Sequence, residues 1–189
     1  MIIGLVRHFK VKVKPGEGGL TSSEFEKAMS DYDLADVIPN ELQVDAADWE
    51  ICYSSSLPRA LKTAETIYHG KIIITDLLRE VPILPFTKTD FIFPAFVWHT
   101  AARIAWLKNR PSQPEGKFKT EERIKKFLEI INSSNHERVL IVSHGFFMNS
   151  IFRELLKLGF KGSMDYHPRN GKLYILENYT SQNNPIKVQ

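Results

Sequence analysis

Two histidines in this chain stand at the ends of apolar, β-branched runs: His8 follows Ile2–Val6 and Arg7, and His144 follows Val139–Val142 and Ser143. Such runs read as buried strands of a parallel sheet. In open α/β sheets, ligands bind in the crevice beyond the carboxyl ends of the strands. His8 and His144, far apart in sequence, are therefore expected to meet in one pocket. A neutral imidazole is a competent nucleophile toward phosphorus. A guanidinium such as Arg7 at the end of an apolar strand needs an anion, and a phosphate matches its planar fork of donors. Taken alone, His8 reads equally well as a histidine satisfied at a strand end; Arg7 beside it favours an anion site.

A second block, Tyr53-Ser54-Ser55-Ser56-Leu57-Pro58-Arg59-Ala60, runs from strand to serine-rich turn to helix start. It places Arg59 in the first turn of a helix, where the macrodipole disfavours a cation. An anion explains Arg59 better than an exposed decoration would.

The elements that must position these residues alternate. Strand-like runs fall at Ile2–Val6, Ile51–Ser54, Lys71–Thr75, Val139–Val142 and Leu173–Leu176. Helical patterns lie between them. Thr21-Ser22-Ser23-Glu24 is a capping box for a helix to about Asp31, and Leu57–Tyr68 is helical with Gly70 as its stop. Glu121–Asn132 is amphipathic, and Phe146–Leu158 ends at Gly159. This alternation predicts a three-layer α/β/α arrangement around a mainly parallel sheet. A single domain over residues 1–180 is expected, with a cap-like insertion around 85–116 and a polar tail at 181–189.

Composition narrows the function classes. The 189 residues are 43% hydrophobic and 25% charged, with a formal charge of +3, an ordinary globular balance. No basic stripe with interleaved aromatics suggests nucleic acid. Phe91–Leu107 is interrupted by Pro94, His99 and Arg103, too short and polar to span a membrane. One cysteine, Cys52, excludes an intrachain disulfide and a Cys-rich metal site, and fits a reducing cytoplasm.

Leu5-Val6-Arg7-His8, the Ser54-Ser55-Ser56-Leu57-Pro58-Arg59-Ala60…Thr63-Ala64-Glu65 block and Val142-Ser143-His144-Gly145 resemble the histidine phosphatase superfamily, also called phosphoglycerate mutase-like. The resemblance implies an α/β/α sandwich and phosphoryl transfer through a phosphohistidine, with no metal and no organic cofactor. It implies that His8 is the nucleophile and that Arg7, Arg59 and a protonated His144 clamp the phosphate. Glu80 would be the acid/base, with Asp76 as its substitute. The implied activity is a phosphatase acting on a phosphorylated small molecule in preference to a phosphoprotein. A phosphoglycerate mutase-type phosphotransferase and a non-catalytic phosphate-binding module are the alternatives.

The chain departs from the family's pattern after the nucleophile. Phe9-Lys10-Val11-Lys12 replaces the usual Gly and the polar residues that follow, and the Asn further on is missing; Leu20-Thr21 restores the register. Phe9 lacks glycine's backbone freedom, and with Phe146 and Phe147 it could make an apolar pocket mouth, core packing being the alternative for the last two. Two long connections, Lys10–Gly19 and Phe91–Pro114, are expected to select the substrate, the lysines through charge and Trp98 through contact with a ring; a solvated edge for the lysines and a core helix pair for Phe91–Leu107 are the alternatives.

Overall fold

The computed structural model describes residues 1–14, 16–42 and 44–178; the polar tail expected over 181–189 lies outside the described residues. Its strands are β1 (Ile2–Arg7), β2 (Lys10–Val11), β3 (Gly19–Leu20), β4 (Val37–Ile38), β5 (Ile51–Ser55), β6 (Ile72–Thr75), β7 (Phe93–Pro94), β8 (Arg138–Ser143), β9 (Lys161–Gly162) and β10 (Leu173–Glu177). Its helices are α1 (Ser22–Leu34), α2 (Pro58–Ile67), α3 (Ala95–Leu107), α4 (Lys117–Ser133) and α5 (Gly145–Lys157).

Six strands form the central sheet in the order β6-β5-β8-β1-β10-β9. β6, β5, β8 and β1 run parallel, while β10 is antiparallel to both β1 and β9. Register matters for the site. Arg7 lies opposite Ser143, and Ser54 lies opposite Val142, so β1, β8 and β5 finish nearly level. The residues that follow them emerge at one edge.

Alternate side chains of these strands feed two cores, as the period of a strand requires. Ile3, Leu5, Tyr53 and Ile141 face Ile124 and Phe127 of α4 and Phe147 and Ile151 of α5. Val6, Cys52, Leu140 and Val142 face Ala60, Ala64 and Ile67 of α2. Helices thus cover both faces, giving three layers. Cys52 is buried and its thiol is pushed up to about 12 by desolvation, which makes it a packing residue and an unreactive one. No helix among the described residues is long and apolar enough to cross a membrane.

Local signals set most boundaries. The Thr21–Glu24 capping box is formed, and Gly159 follows α5 at φ +86°. Two ends differ from expectation. α2 stops at Ile67, with Tyr68 already extended, so Gly70 is not its stop. α4 begins at Lys117, four residues before the amphipathic pattern is clear, because Asn109 Oδ1 accepts the Phe118 N–H and holds the first turn.

The residues singled out in the two long connections, the lysines and Trp98, do not play the parts expected of them. β2 pairs with β4, Lys12 is bonded to Asp36 at 2.6 Å and Lys14 to Glu17, so these lysines are matched to local carboxylates. Within residues 85–116, β7 pairs with β3 and α3 packs on α1. Trp98 is fully buried at that junction, stacked on Phe25 at 5.8 Å and flanked by Phe86 and Phe93, with its indole N–H on the Leu20 carbonyl. It belongs to the core that holds α3 in place and does not meet a substrate. Trp98→Ala should therefore cost about 3–5 kcal/mol of stability, and lower the melting midpoint by roughly 10 °C. A urea melt that moves by less than about 1 kcal/mol would show that Trp98 does not anchor α3.

Candidate active site

The level strand ends bring Arg7, His8, Arg59 and His144 together. The rings of His8 and His144 are 5.1 Å apart. Both guanidiniums act electrostatically on both imidazoles, so the four groups share one neighbourhood. α5 starts immediately after His144, and α2 starts at Pro58 next to Arg59. The α5 end is taken up by the Glu80 carboxylate, but the α2 N-terminus, the positive end of its dipole, adds to the cationic field. Gly145 makes room for it, because a Cβ there would sit 3.0 Å from the Arg7 guanidinium carbon.

Each of the four side chains is fixed through one nitrogen. His8 Nδ1 is 2.6 Å from the Phe9 carbonyl oxygen. That oxygen can only accept, so Nδ1 carries the proton and Nε2 keeps its lone pair. His144 Nε2 lies 2.7 Å from Ser55 Oγ. Because Ser55 Oγ already accepts the Leu57 N–H, its own proton can go to His144 Nε2, leaving the imidazole proton on Nδ1. Arg7 Nη1 donates to the Pro168 carbonyl at 2.8 Å, and Arg59 Nη1 donates to the Asp33 carboxylate at 2.8 Å.

What remains is the informative part. Among the described residues, four buried side-chain polar atoms have no hydrogen-bond partner, and three of them are Arg7 Nε, Arg59 Nε and His144 Nδ1. An unsatisfied buried donor costs about 1–3 kcal/mol, so their concentration on three adjacent side chains needs a reason. An oxyanion is the kind of acceptor that would satisfy all three.

Burial and charge tune the histidines. His8 is pushed down to about 3, mainly by desolvation and then by the Arg59 charge, so it is a neutral base at physiological pH. His144 is held well below its ordinary range by burial, Arg59, His8 and Arg7. The protonated His144 expected from the sequence is thus a neutral imidazole when no anion is bound, and its Nδ1–H still donates.

Glu80 follows β6 and a short 3-10 turn at Asp76–Leu78. Its carboxylate caps α5, accepting the N–H groups of Phe146 (3.1 Å) and Phe147 (2.9 Å), and it also accepts the Val81 N–H (2.9 Å). This sets it beside the His144–Gly145 turn. A cavity of about 700 Å3 reaches Glu80 and Arg59 and is walled by α1, residues 79–84 and α3, the last through His99 and Arg103. Asp76 also lines it, accepting a hydrogen bond from Ser56. Arg7, His8 and His144 are not on its wall; His8 is 2% and His144 0% exposed. Among the described residues, no group of His, Cys, Asp and Glu side chains is arranged to hold a metal ion.

Phe9 does not shape a pocket mouth. It is fully buried against Val6, Val11 and Trp49 on the α2 face, and its φ is not positive, so glycine's freedom is not required there. Its backbone is fully used: the N–H donates to Thr63 Oγ1 at 2.9 Å and the carbonyl orients His8. Phe147 is core, and Phe146 packs on Trp106. Ser55 and Thr63 stand inside the Ser54–Glu65 block, where their types alone do not announce these contacts, and Asp33 and Asn170 lie outside every motif. Asn170 Nδ2 donates to the His8 carbonyl at 2.7 Å, and the signal was its Asn-Gly pair just before β10.

With this geometry in hand, the chain is found to belong to the histidine phosphatase superfamily (branch 1), whose family model matches residues 38–188. The match begins beyond Arg7, His8 and the altered loop. A Hydrogenobacter thermophilus protein provisionally named phosphoserine phosphatase 2 is 30% identical over 128 residues, 64% of this chain and 63% of that protein. Similar solved structures include an Escherichia coli K-12 protein provisionally described as an α-ribazole-5′-P phosphatase (TM-score 0.56, 18% identity, covering 93% of this chain and 89% of that one). Another is an Entamoeba histolytica phosphoserine phosphatase in complex with 3-phosphoglyceric acid (TM-score 0.53, 17% identity, 96% and 98% covered). At these identities the structural likeness is one of fold, the phosphoglycerate mutase-like sandwich.

The buried neutral histidines make stability pH-dependent. An unfolded histidine takes up a proton near pH 6.5, whereas folded His8 does so only near 3. Below pH 6.5 the unfolded state binds more protons, so their contribution is complete above that pH. It is lost as pH falls toward 3, by about 1.4 kcal/mol per pH unit for each such histidine. Urea midpoints measured from about pH 7 to about pH 5 should fall, and His8→Asn should flatten the slope by about one histidine's share. An unchanged slope in that variant would mean that His8 titrates normally in the folded protein.

Proposed function

We propose that this protein is a phosphomonoesterase working through a phosphohistidine on His8. The observation that carries the reading is the set of three buried, unpartnered donors on Arg7, Arg59 and His144 beside a neutral imidazole whose Nε2 lone pair is free. Phosphoryl transfer depends on positioning and on stabilising charge over the equatorial oxygens. The two guanidiniums, the His144 N–H and the N-terminus of α2 supply that stabilisation. His8 Nε2 forms a bond to phosphorus while the ester P–O bond breaks, and the leaving oxygen takes a proton from the Glu80 carboxyl. Water then attacks the phosphohistidine, giving its proton to the Glu80 carboxylate, and inorganic phosphate leaves with His8 neutral again. The Phe9 carbonyl holds the Nδ1 proton throughout.

In this reading the positive charge comes from side chains, and neither a metal ion nor an organic cofactor is required. The substrate is a phosphorylated small molecule, as the names of the phosphoserine and α-ribazole-5′-P phosphatases suggest. Discrimination among such molecules falls to the cavity walls from α1, residues 79–84 and α3, since the clamp sees only the phosphoryl group.

Hydrolysis of p-nitrophenyl phosphate in the presence of a chelator tests this directly. Wild-type protein should release inorganic phosphate at the same rate with and without chelator. His8→Ala should abolish turnover and remove an acid-labile, base-stable phosphoryl label. Glu80→Gln should lower kcat by about 10²–10⁴-fold while leaving phosphate affinity near its original value. Loss of activity in chelator would overturn metal independence. An unchanged rate in Glu80→Gln would move the proton donor to Asp76.

A further inference from the structure

We infer that Asp33 is a positioning residue for Arg59: it holds one edge of the guanidinium so that the other edge faces the phosphoryl group. The inference rests on the phosphate-clamp reading of Arg59. Asp33 lies in the last turn of α1, a helix end that the macrodipole makes unfavourable for a carboxylate. Arg59 lies in the first turn of α2, an end equally unfavourable for a cation. The two misplaced charges meet each other at 2.8 Å. The same Arg59 Nη1 also reaches the Asp33 carbonyl at 3.4 Å, one of the carbonyls that α1 leaves unsatisfied at its end.

The division of the guanidinium is the core of the inference. Asp33 takes Nη1, while Nε is buried and unpartnered. A planar guanidinium offers separate edges, so a phosphoryl group on the Nε side and Asp33 on the Nη1 side are not rivals. The Tyr32 ring, 5.0 Å from the guanidinium carbon, steadies the same group. A neighbouring contact keeps the end of α1 against α2: Asp36 is bonded to Lys62 of α2 at 2.6 Å. Asp33 is 47% exposed and lines the cavity, so it can be replaced without opening a hole in the core.

The test is a double-mutant cycle read from the affinity for inorganic phosphate by calorimetry and from kcat/KM on p-nitrophenyl phosphate. Asp33→Ala should weaken phosphate binding by about tenfold and lower kcat/KM at least as much, with little change in melting midpoint. Asp33→Glu should recover most of the loss. In an Arg59→Met background, which keeps the buried aliphatic volume, Asp33→Ala should have no further effect. Tighter phosphate binding in Asp33→Ala would make Asp33 a competing anion and overturn the inference. So would no change, or the same loss in the Arg59→Met background. Wild-type protein that binds phosphate without hydrolysing the ester would defeat the hydrolase reading alone, and the cycle would still be read from affinity.

Discussion

Two arginine side chains and two imidazoles are gathered at one sheet edge, and the rest of the molecule has to tolerate the charge they bring. Burying a cation without a matched anion is expensive, and here the nearby carboxylates touch only the periphery. Asp33 meets the outer nitrogen of Arg59, and Glu80 spends its oxygens on the start of α5. The interior is left short of negative charge. Burial first, and that shortage second, keep both imidazoles neutral. Electrostatic preorganisation of this kind requires a frame that does not relax around the charges.

The frame is supplied by parallel pairing. Because β1, β8 and β5 are parallel and in level register, their carboxyl ends open on one edge. The antiparallel β10 completes the arrangement. It must start where β1 ends, so the turn before it returns to the site and places Pro168 on Arg7 and Asn170 on the His8 carbonyl. Cores on both faces of the sheet bear the cost of ordering this edge. Thr63 ties them to the chemistry, accepting the Phe9 N–H and donating to the Arg59 carbonyl at 2.7 Å.

Much of this was legible from the residues. β-Branched runs mark the five long strands almost to the residue; strand ends bring Arg7, His8 and His144 together, and the serine-rich turn and the family resemblance add Arg59. The capping box and Gly159 are legible because their chemistry is local. What escaped depends on distance. Nothing in Phe91–Leu107 says that Trp98 turns inward to Phe25, because an aromatic at a helical position serves a core or a pocket equally well. Nothing near Lys12 shows that Asp36, 24 residues on, is its carboxylate partner. Asp33 carries no motif at all; only the approach of α1 to α2 gives it a part.

Position 9 shows how a departure from the family's pattern is absorbed. A glycine after the nucleophile is needed where the backbone takes a positive φ or where something approaches the Cα closely. Here φ is not positive, and the side chain turns away from the site into the core with Val6, Val11 and Trp49. The neighbouring side chains of His8 and Thr63 are met by its peptide groups alone. The carbonyl fixes the tautomer of His8, and the N–H joins Thr63 on the helix that carries Arg59. A large apolar residue supplies both groups as well as glycine does, and it buries surface that glycine would not. The requirement at this position is therefore on the direction of two backbone dipoles, and the size of the side chain is set by the core behind them.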